Sequence, residues 1–423
     1  MTIKNYPYWW EEAHPPKSAS VDLPSQTDVV IVGAGYTGLS AALTLARAGR
    51  EVVVLDAEDP GTGASSRNAG YFGYELRASL SVLIARFGKS TAVDIAGAGF
   101  EAFKYSKHLI ETEQIQCDLS DNGRITCAHR PSHYDAMAKE AELAERELGI
   151  KYRMLNAVEL REQLGTDIYH GAKLGLSSYG MHPGKYLCGL LQRVNSAGAT
   201  IAGNTPVTAV DSASKTVTTA RGRIKAQRII VATNGYTGDF APELKRRLIP
   251  VGAHMIATEE LSEQTMRSVF PVPRLGIDTR KMYRAFRPSP DGKRVLLTGR
   301  TAGPPSDTEG NADFLRNNLI GIFPQLRDTR ITHTWGGYVS FTFDKLPHLG
   351  EKDGIHYAMG FNGAGSTMGP YLGHKIALKV MGDQEGECLF DRFEFKSKPL
   401  YRGSPWFLPL VKMGYRFIDR FGR

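Results

Sequence analysis

Three glycines and an acid have the spacing most specific for chemistry in this 423-residue chain. Gly33, Gly35 and Gly38 form a GxGxxG motif directly after a run of β-forming residues, and Asp56 follows 18 residues after Gly38. In this arrangement the first glycine permits a tight turn, the second leaves room for a pyrophosphate, and the third lets a helix lie close to a sheet. The motif therefore predicts a dinucleotide with its phosphates at a helix N-terminus and its ribose on Asp56.

The residues around these glycines read as a complete βαβ unit, DVVIVGAGYTGLSAALTLARAGREVVVLD (residues 28–56). Apolar residues at helical spacing run from about Gly38 to Ala48, Gly49 is placed to end the helix, and residues 52–55 read as a buried parallel strand. This context favours a bound dinucleotide over the alternative, a structural βαβ unit without a ligand. The residues expected beside the dinucleotide are Gly33, Gly35, Tyr36, Thr37, Gly38, Asp56 and Ala57.

The composition indicates a globular chain without a surface for nucleic acid. The 52 basic and 44 acidic residues give a net charge of +8 that is spread along the chain. The densest basic cluster, Lys245 to Arg247, is typical of a solvated surface. The four cysteines form neither a CxxC pair nor a grouping with zinc spacing. We therefore expect reduced thiols, no bound metal and no nucleic-acid partner.

The two ends of the chain carry aromatic and amphipathic segments. Residues 1–25 are expected to form an arm whose aromatic residues pack on the folded body. Since the sequence contains no signal-peptide pattern and no apolar run of about 18 residues, we expect a cytoplasmic protein. A C-terminal helix from Leu410 would separate an apolar stripe from a basic one, namely Leu410, Phe417, Ile418 and Phe421 against Lys412, Arg416, Arg420 and Arg423. Such a helix docks on its own domain or on a second subunit, or lies at an anionic membrane surface.

Two later glycine-rich turns also follow strand patterns. The run RIIVATNGY (residues 228–236) reads as a buried strand ending in a small-residue turn, although an ordinary strand and turn would read the same. The run IHYAMGFNGAGSTMGP (residues 355–370) reads as a strand, a turn and a helix N-terminus that faces an anion. Between them, antiparallel strands are predicted at residues 252–258, 281–286 and 295–298. Further helical patterns cover residues 79–113, 132–148, 186–197 and 312–322.

Four segments together resemble the D-amino-acid oxidase, glycine oxidase and sarcosine oxidase superfamily of FAD enzymes: VVIVGAGYTGLSAA, GASSRNAG, VATNGYTGD and GFNGAGSTMGP. Within it the chain is most similar to γ-glutamylputrescine oxidase-type proteins, through ASSRNAG, the His182-Pro183 turn, NGYTGDFAPEL, ATEELSE, FPQL and Trp335. The resemblance implies FAD as cofactor. It also implies a mixed α/β fold, in which a Rossmann-like FAD-binding domain is interleaved with an antiparallel-sheet substrate domain.

The resemblance assigns roles along the cofactor. It places Asp56 at the adenosine ribose and Val207 beside adenine, and it directs the dipole of the helix after Gly363 at the flavin. The residues that it places near the flavin or the diphosphate are Ser65, Ser66, Arg67, Asn68, Ala69, Gly70, Thr233, Asn234, Gly235, Gly363, Ala364, Gly365, Ser366 and Thr367. For Arg67 the alternative is a surface-loop arginine with a salt partner.

Two departures from these relatives affect the flavin. Some members tether it covalently through a histidine in the loop occupied here by RNAG, or through a cysteine in the C-terminal half. Here Asn68 and Ala69 stand in the loop and no cysteine lies between Cys188 and Cys388, so we predict noncovalent FAD. Sarcosine-oxidase-like enzymes use lysines near the flavin to promote oxygen attack or to bind the substrate carboxylate. This chain has no lysine at the positions where these are expected. Oxygen and a quinone therefore both stay candidate acceptors.

The reaction implied by the resemblance is oxidation of a CH–NH bond to an imine by hydride transfer to flavin N5. The substrate would be a small amine or amino acid, either γ-glutamyl-polyamine-like or cyclic, such as pipecolate. Arginine would bind a substrate carboxylate, and tyrosine or tryptophan would form an apolar wall. The candidates for this side are Tyr283, Trp335, Arg300, His254 and Arg284. Each can also be structural, and His254 and His182 read equally as packing residues.

Two other functions stay open on the sequence alone. One is a membrane-associated respiratory dehydrogenase that passes electrons to a quinone, and the other is a nucleotide-binding scaffold without catalysis. The predicted division of the chain is an arm (1–25), a discontinuous FAD-binding domain (26–90, 150–245 and 331–400), a substrate-binding domain (91–149 and 246–330) and a basic amphipathic helix (401–423).

Overall fold

The βαβ unit predicted at residues 28–56 lies at the centre of a computed structural model that describes residues 2–301 and 306–422. Its strands are β1 (Gln26–Val32), β2 (Val52–Leu55), β3 (Tyr71–Gly73), β4 (Arg124–Cys127), β5 (Arg153–Leu155), β6 (Ala172–Gly175), β7 (Ser178–Gly180), β8 (Thr200–Ala202), β9 (Val207–Asp211), β10 (Thr216–Thr219), β11 (Gly222–Val231), β12 (Ile249–Thr258), β13 (Leu275–Asp278), β14 (Arg284–Pro288), β15 (Val295–Gly299), β16 (Ile331–Phe341), β17 (His348–Lys352) and β18 (Ile355–Met359). Its helices are α1 (Tyr36–Arg47), α2 (Ala64–Arg67), α3 (Leu80–Phe87), α4 (Lys89–Thr112), α5 (Pro131–Leu148), α6 (Ala157–Arg161), α7 (Pro183–Ser196), α8 (Pro242–Lys245), α9 (Glu263–Val269), α10 (Thr308–Ile322), α11 (Gly365–Met381) and α12 (Leu408–Phe421).

The first sheet brings the three glycine-rich turns together. Its order is β17-β18-β11-β1-β2-β8, and β18, β11, β1, β2 and β8 run parallel. The turns after β1, β11 and β18 therefore all lie at the carboxyl edge of the sheet. Because β11 and β2 lie on opposite sides of β1, this edge is a topological switch point, where open α/β sheets bind their ligands. Helices α1 and α11 pack on one face, where Cβ atoms at Gly38 and Gly373 would lie 1.9 and 2.2 Å from backbone oxygens.

The second sheet is the predicted antiparallel one, and it is larger than the sequence indicated. Its order is β16-β12-β15-β14-β13-β4-β6-β5, antiparallel except for the parallel pair β13–β4. One face packs on α9 and α10 through a core that includes Leu297, Leu315 and Phe323. Residues of the opposite face line a cavity that also reaches the carboxyl edge of the first sheet. This agrees with the predicted fold class.

Several predicted boundaries change for identifiable reasons. The helical pattern at 79–113 is two helices, because Gly88 between them adopts a φ of +81°. The strand predicted from Lys281 begins only at Arg284, because the backbone N–H groups of Lys281 and Met282 donate to the carboxylate of Asp419 instead of pairing in a sheet. The predicted domain division assigned β5, β6 and β16 to the FAD-binding domain, whereas these strands belong to the antiparallel sheet.

The N-terminal arm packs on the body, as its aromatic residues predicted. Trp9 is fully buried, and its ring lies 5.1 Å from that of His182 and 6.5 Å from that of Trp335. At the other end, α12 has no buried residue and presents its large apolar side chains to solvent. Arg423, predicted for its basic stripe, lies outside the described residues. Among the described residues we find no helix long and apolar enough to cross a membrane and no cluster of metal-binding side chains.

Candidate functional site

A continuous cavity of about 1320 Å³ runs from the first glycine turn to the free face of the antiparallel sheet. Its wall includes Gly33, Gly35 and Asp56 at one end and Tyr283, Arg300 and Lys173 at the other. Typical small-ligand pockets are ~300–1,000 Å³ in volume. The cavity therefore has room for a dinucleotide and a substrate together.

The first turn has the shape that a diphosphate requires. Gly33 adopts a φ of +107°, and a Cβ there would lie 3.1 Å from the carbonyl oxygen of Ala232. A Cβ at Gly35 would lie 2.9 Å from Ser65 Oγ, so a side chain at either position would fill the turn. Tyr36 and Thr37, in the first helical turn of α1, line the cavity at the end where backbone N–H groups lack partners within the helix. The predicted roles of Gly33 and Gly35 agree with this geometry.

Asp56, predicted from the sequence to hold a ribose, has lone pairs left for a ligand. It lines the cavity at the end of β2, and its carboxylate accepts from the N–H groups of Ala34 at 2.7 Å and Glu58 at 3.2 Å. A carboxylate has about four lone-pair positions, so each oxygen keeps one for a ligand. Burial raises the pKa of Asp56 above its ordinary value, although these two backbone hydrogen bonds favour the charged form.

The loop after β2 is held from behind by tryptophans. The N–H of Trp9 donates to the carbonyl of Asn68 at 3.0 Å, and that of Trp335 donates to the carbonyl of Arg67 at 2.9 Å. Arg67 lines the cavity, donates to the carbonyl of Thr62 at 2.6 Å, and lies 4.7 Å over the ring of Trp10. Among the described residues it has no carboxylate partner, and burial lowers its pKa. This placement supports the predicted cofactor role over a surface ion pair.

The two later glycine turns complete the wall. Thr233 and Asn234 follow β11, and the side-chain oxygen of Asn234 accepts from the N–H of Gly360 at 2.9 Å, which joins the turns after β11 and β18. Gly363 has a φ of +103° and open space where a Cβ would be, so its backbone faces the cavity directly. Ser366 donates to the carbonyl of Tyr71 at 2.5 Å, which fixes the start of α11 beside the loop after β2. The other predicted residues on this wall are Ala57, Ser65, Asn68, Ala69, Val207, Ala364 and Gly365.

Five of the predicted cofactor residues lie behind the wall instead of on it: Gly38, Ser66, Gly70, Gly235 and Thr367. Gly38 serves the close packing of α1 that was predicted for it. Ser66 is fully buried, donates to the carbonyl of Gly61 at 2.8 Å and accepts from Trp10. Thr367 donates to the carbonyl of Gly73 at 3.1 Å. These residues support the loops, and their direct contact with the cofactor stays a prediction.

Residues in register across seven strands of the antiparallel sheet line the other side of the cavity. The cross-strand partners are, in order, Trp335, Met255, Thr298, Ala285, Ile277, Thr126 and Lys173. We call this set the cross-strand row. Because side chains alternate between the faces of a strand, their neighbours at ±2 share the same face, and these include Tyr283, Arg300 and Arg124.

Tyr283 and Arg300, both predicted candidates for the substrate side, line the cavity next to each other. The guanidinium of Arg300 lies 5.5 Å from the ring centre of Tyr283, 5.7 Å from that of Phe341 and 5.3 Å from that of Tyr415 on α12. It donates to the carbonyl of Lys281 at 2.9 Å, and its other N–H groups have no hydrogen-bond partner among the described residues. The guanidinium of Arg77, which the sequence did not indicate, also lies 5.8 Å from the centre of the Tyr283 ring. The arrangement can bind an anion beside aromatic surface.

His254 and Arg284 lie on the opposite face of the sheet, and their predicted place on the substrate side is wrong. Their chain neighbours Met255 and Tyr283 line the cavity, so alternation turns both side chains away from it. His254 is fully buried, and burial lowers its pKa to about 4. This burial agrees with the alternative interpretation of His254 as a packing residue. Trp335 lines the cavity but is committed through its N–H to the loop after β2.

Comparison with known proteins gives consistent results. A model of the family described as FAD dependent oxidoreductase matches residues 28–378. The chain is 32% identical to "Gamma-glutamylputrescine oxidoreductase" of Escherichia coli over 402 residues, covering 93% of each chain. It is 30% identical to "Probable oxidoreductase OrdL" of Haemophilus influenzae over 411 residues, covering 93% of this chain and 92% of that one. The crystal structure of glycine oxidase from Geobacillus kaustophilus has a similar fold, with a TM-score of 0.74 at 21% identity, covering 89% of this chain and 99% of that chain.

Proposed function

The chain belongs to the FAD-dependent oxidoreductase family, and we propose that it oxidises the C–N single bond of a small amine or amino acid to an imine. The observation that carries this proposal is the continuity of the cavity, which joins the dinucleotide turn after β1 to the cross-strand row. A nucleotide-binding scaffold without catalysis would not need this second, mixed polar and apolar wall. Similarity to γ-glutamylputrescine oxidoreductase supports an amine substrate.

The residues that line the cavity fit FAD. Asp56 would hold the adenosine ribose, Gly33 and Gly35 the diphosphate, and Gly363 to Ser366 the flavin. Bound there, FAD would supply the two-electron acceptor that amine oxidation needs. No histidine or cysteine is among the described residues that line the cavity. This composition supports noncovalent attachment.

The protein's own contribution would be orientation in a water-poor site. Arg300 is held by three aromatic rings and keeps N–H groups for a substrate carboxylate. Met255, Ala285 and Ile277 give an apolar surface on which the substrate carbon chain would lie. Fixing a reactant in this way lowers the entropic part of the barrier without requiring a catalytic acid or base.

The experiment that tests this proposal is anaerobic mixing of the FAD-loaded protein with a panel of γ-glutamyl amines, L- and D-amino acids and cyclic amino acids. Bleaching of the flavin absorbance by at least one amine, with the matching imine or its hydrolysis product, is expected. A protein that binds no FAD, or FAD that no amine bleaches, would contradict the proposal. Adding oxygen or a soluble quinone after reduction then identifies the acceptor.

A second candidate, electron transfer to a membrane quinone, is favoured by the outer face of α12. Leu410, Met413, Phe417 and Phe421 form a stripe at helical spacing, with Trp406 just before the helix, and each of these side chains is more than 60% exposed. Lys412, Arg416 and Arg420 flank it. The inner side of the helix is anchored, because the carboxylate of Asp419 accepts from Lys281 and Met282 at 2.8 Å each. An amphipathic helix of this kind suits the surface of an anionic bilayer.

Co-sedimentation with vesicles containing phosphatidylglycerol tests this candidate. Changing Leu410, Phe417 and Phe421 together to Ser should abolish sedimentation, and added salt should weaken that of the wild type. Three exposed apolar residues elsewhere, Val82, Val158 and Leu176, changed to Ser, are the matched control and should have no effect. Equal sedimentation of both variants, or a dimer in solution that only the α12 variant loses, would contradict membrane attachment. The predicted cytoplasmic location stays a prediction.

A further inference from the structure

The cross-strand row extends past the loops that would hold FAD. The hydroxyl of Tyr71, next to the loop after β2, donates to the carbonyls of Gly276 at 2.7 Å and Phe286 at 3.0 Å, so these loops lie against β13 and β14. Ile277 on β13 is followed in the row by Thr126 on β4 and Lys173 on β6. At ~4.8 Å per strand, the backbone of Lys173 is about 10 Å beyond that of Ile277. This far end of the cavity has no part in the reaction described above.

Lys173 is a free cation at this end. Its ammonium has no hydrogen bond or ion pair with any described residue, and it lies 3.9 Å over the ring of Tyr152. Burial, and the nearby Arg124, lower the pKa of Lys173 to about 8. A lysine that served only to fill space would extend to bulk solvent or pair with a carboxylate. Lys173 instead lines the cavity with its ammonium over an aromatic ring.

Two carboxylates and one arginine surround Lys173, and neither carboxylate forms an ion pair with its ammonium among the described residues. Arg124 forms an ion pair with Glu75, which also accepts from the hydroxyl of Tyr152 at 2.9 Å. Tyr152 in turn shares a 3.0 Å hydrogen bond with Tyr74. The charged and titratable groups that face Lys173 from the surrounding elements are Arg124 on β4, Glu140 on α5, Tyr152 before β5, and Tyr74 and Glu75 after β3. Glu75 therefore neutralises Arg124, whereas Glu140 raises the pKa of Lys173 electrostatically without forming an ion pair with its ammonium among the described residues.

The helices that cover this chamber contribute mainly apolar side chains. Helices α3, α4 and α5 cover it with Leu80, Leu83, Phe100, Ala144 and Leu148. A cation with polar neighbours at the end of an apolar channel matches a ligand with an aliphatic stem and a terminal anion. Carboxylate is the anion that such a lysine and the adjacent arginine would bind by charge-assisted hydrogen bonds.

We propose that Lys173, supported by Arg124, is a carboxylate-binding subsite for the part of the substrate farthest from the oxidised C–N bond. The inference rests on the proposed amine oxidation and narrows its substrate class. The substrate carries a carboxylate separated from the reacting carbon by an aliphatic chain. Arg300 and Lys173 then select for substrate length, because they lie on different strands of the same sheet face.

Isothermal titration calorimetry on the FAD-loaded protein tests the subsite without turnover. The probes are unbranched dicarboxylates of four to ten carbons, each compared with the monocarboxylate of equal length. The variants are Lys173→Met, which keeps length and removes charge, and Lys173→Arg, which keeps the charge. Lys345→Met removes an exposed lysine that also lines the cavity and serves as the control.

At least one dicarboxylate should bind tenfold or more tightly than its monocarboxylate partner, and Lys173→Met should remove this preference. Lys173→Arg and Lys345→Met should retain it. No preference in the wild type, or a preference that survives Lys173→Met, would overturn the subsite. The failure of the subsite and the failure of the proposed reaction are distinguishable. If no dicarboxylate preference is found but amines bleach the flavin, only the subsite is contradicted. If a Lys173-dependent preference is found but no amine bleaches the flavin, only the reaction is contradicted.

Discussion

Replacing Asp56 by Asn should weaken FAD binding without unfolding the protein. Each carboxylate oxygen of Asp56 accepts one backbone N–H and keeps one lone pair for a ribose hydroxyl. Asn leaves one accepting oxygen and removes the charge, so one charge-assisted bond is lost and another is weakened. Such bonds are each worth about 1.5–3 kcal/mol, and a total of about 2–4 kcal/mol corresponds to a ~30- to 700-fold increase in the Kd for FAD.

The assay is titration of the apoprotein with FAD, followed by quenching of flavin fluorescence. Because burial raises the pKa of Asp56, its charge does not stabilise the apoprotein, and we expect Asp56→Asn to destabilise that form only by the loss of one backbone hydrogen bond, about 1 kcal/mol. Asp59→Asn is the matched control. Asp59 lies in the same loop as Asp56 and accepts hydrogen bonds from Ser18 and Asn204, but it does not line the cavity. A Kd within threefold of the wild type, or an equal loss in Asp59→Asn, would refute the role of Asp56.

Three further outcomes are expected. Trp335→Phe removes the hydrogen bond to the loop carbonyl of Arg67 and should raise the Kd for FAD about fivefold, since a hydrogen bond contributes ~1 kcal/mol, whereas Trp406→Phe on the surface should have no effect. His254 is buried with a pKa of about 4 against ~6.5 in the unfolded chain, so the folded protein favours the neutral form and its stability falls as pH drops below 6.5. Between pH 8 and 5 this group should cost about 2 kcal/mol of unfolding free energy. Thermal unfolding should show that His254→Gln loses about 2 kcal/mol less stability than the wild type over this range, while bleaching of the flavin by amines is unchanged. Binding of a dicarboxylate should weaken as pH rises through about 8, where the ammonium of Lys173 is lost, and binding of a monocarboxylate should not; a parallel pH dependence for both would argue against the subsite.

The dinucleotide end could be predicted from sequence because its chemistry is local. Gly33, Gly35 and Asp56 lie within one βαβ unit, and the backbone geometry that they require follows from residue type and spacing. The support behind that end could not be predicted. Trp9 and Trp10 reach the loop after β2 from the N-terminal arm, and nothing in their spacing indicates which carbonyl or hydroxyl they meet across more than fifty residues.

The substrate end is harder to predict because its residues are gathered by register, not by motif. Lys173, Thr126 and Ile277 become neighbours only when β6, β4 and β13 pair, and β6 was not recognised as part of the antiparallel sheet. Gly276 and Phe286 likewise reveal their contact with Tyr71 only in three dimensions. A chain with strands from so many separate segments leaves many pairings open, so sequence alone indicates residue types but not the row that they form.

Alternation along the strands nevertheless restricts the choice more than residue type does. Tyr283 and Arg284 are adjacent and cannot both face the cavity from extended backbone, so proposing both required one to be wrong. Once Tyr283 is placed on the cavity, the antiparallel register with β15 puts Thr298 and Arg300 on the same side and turns Gly299 away, because Ala285 pairs with Thr298. The same argument carried along the sheet leads to Lys173. A substrate-side residue in this fold is therefore better judged by the parity of its position on a strand than by whether its side chain could do chemistry.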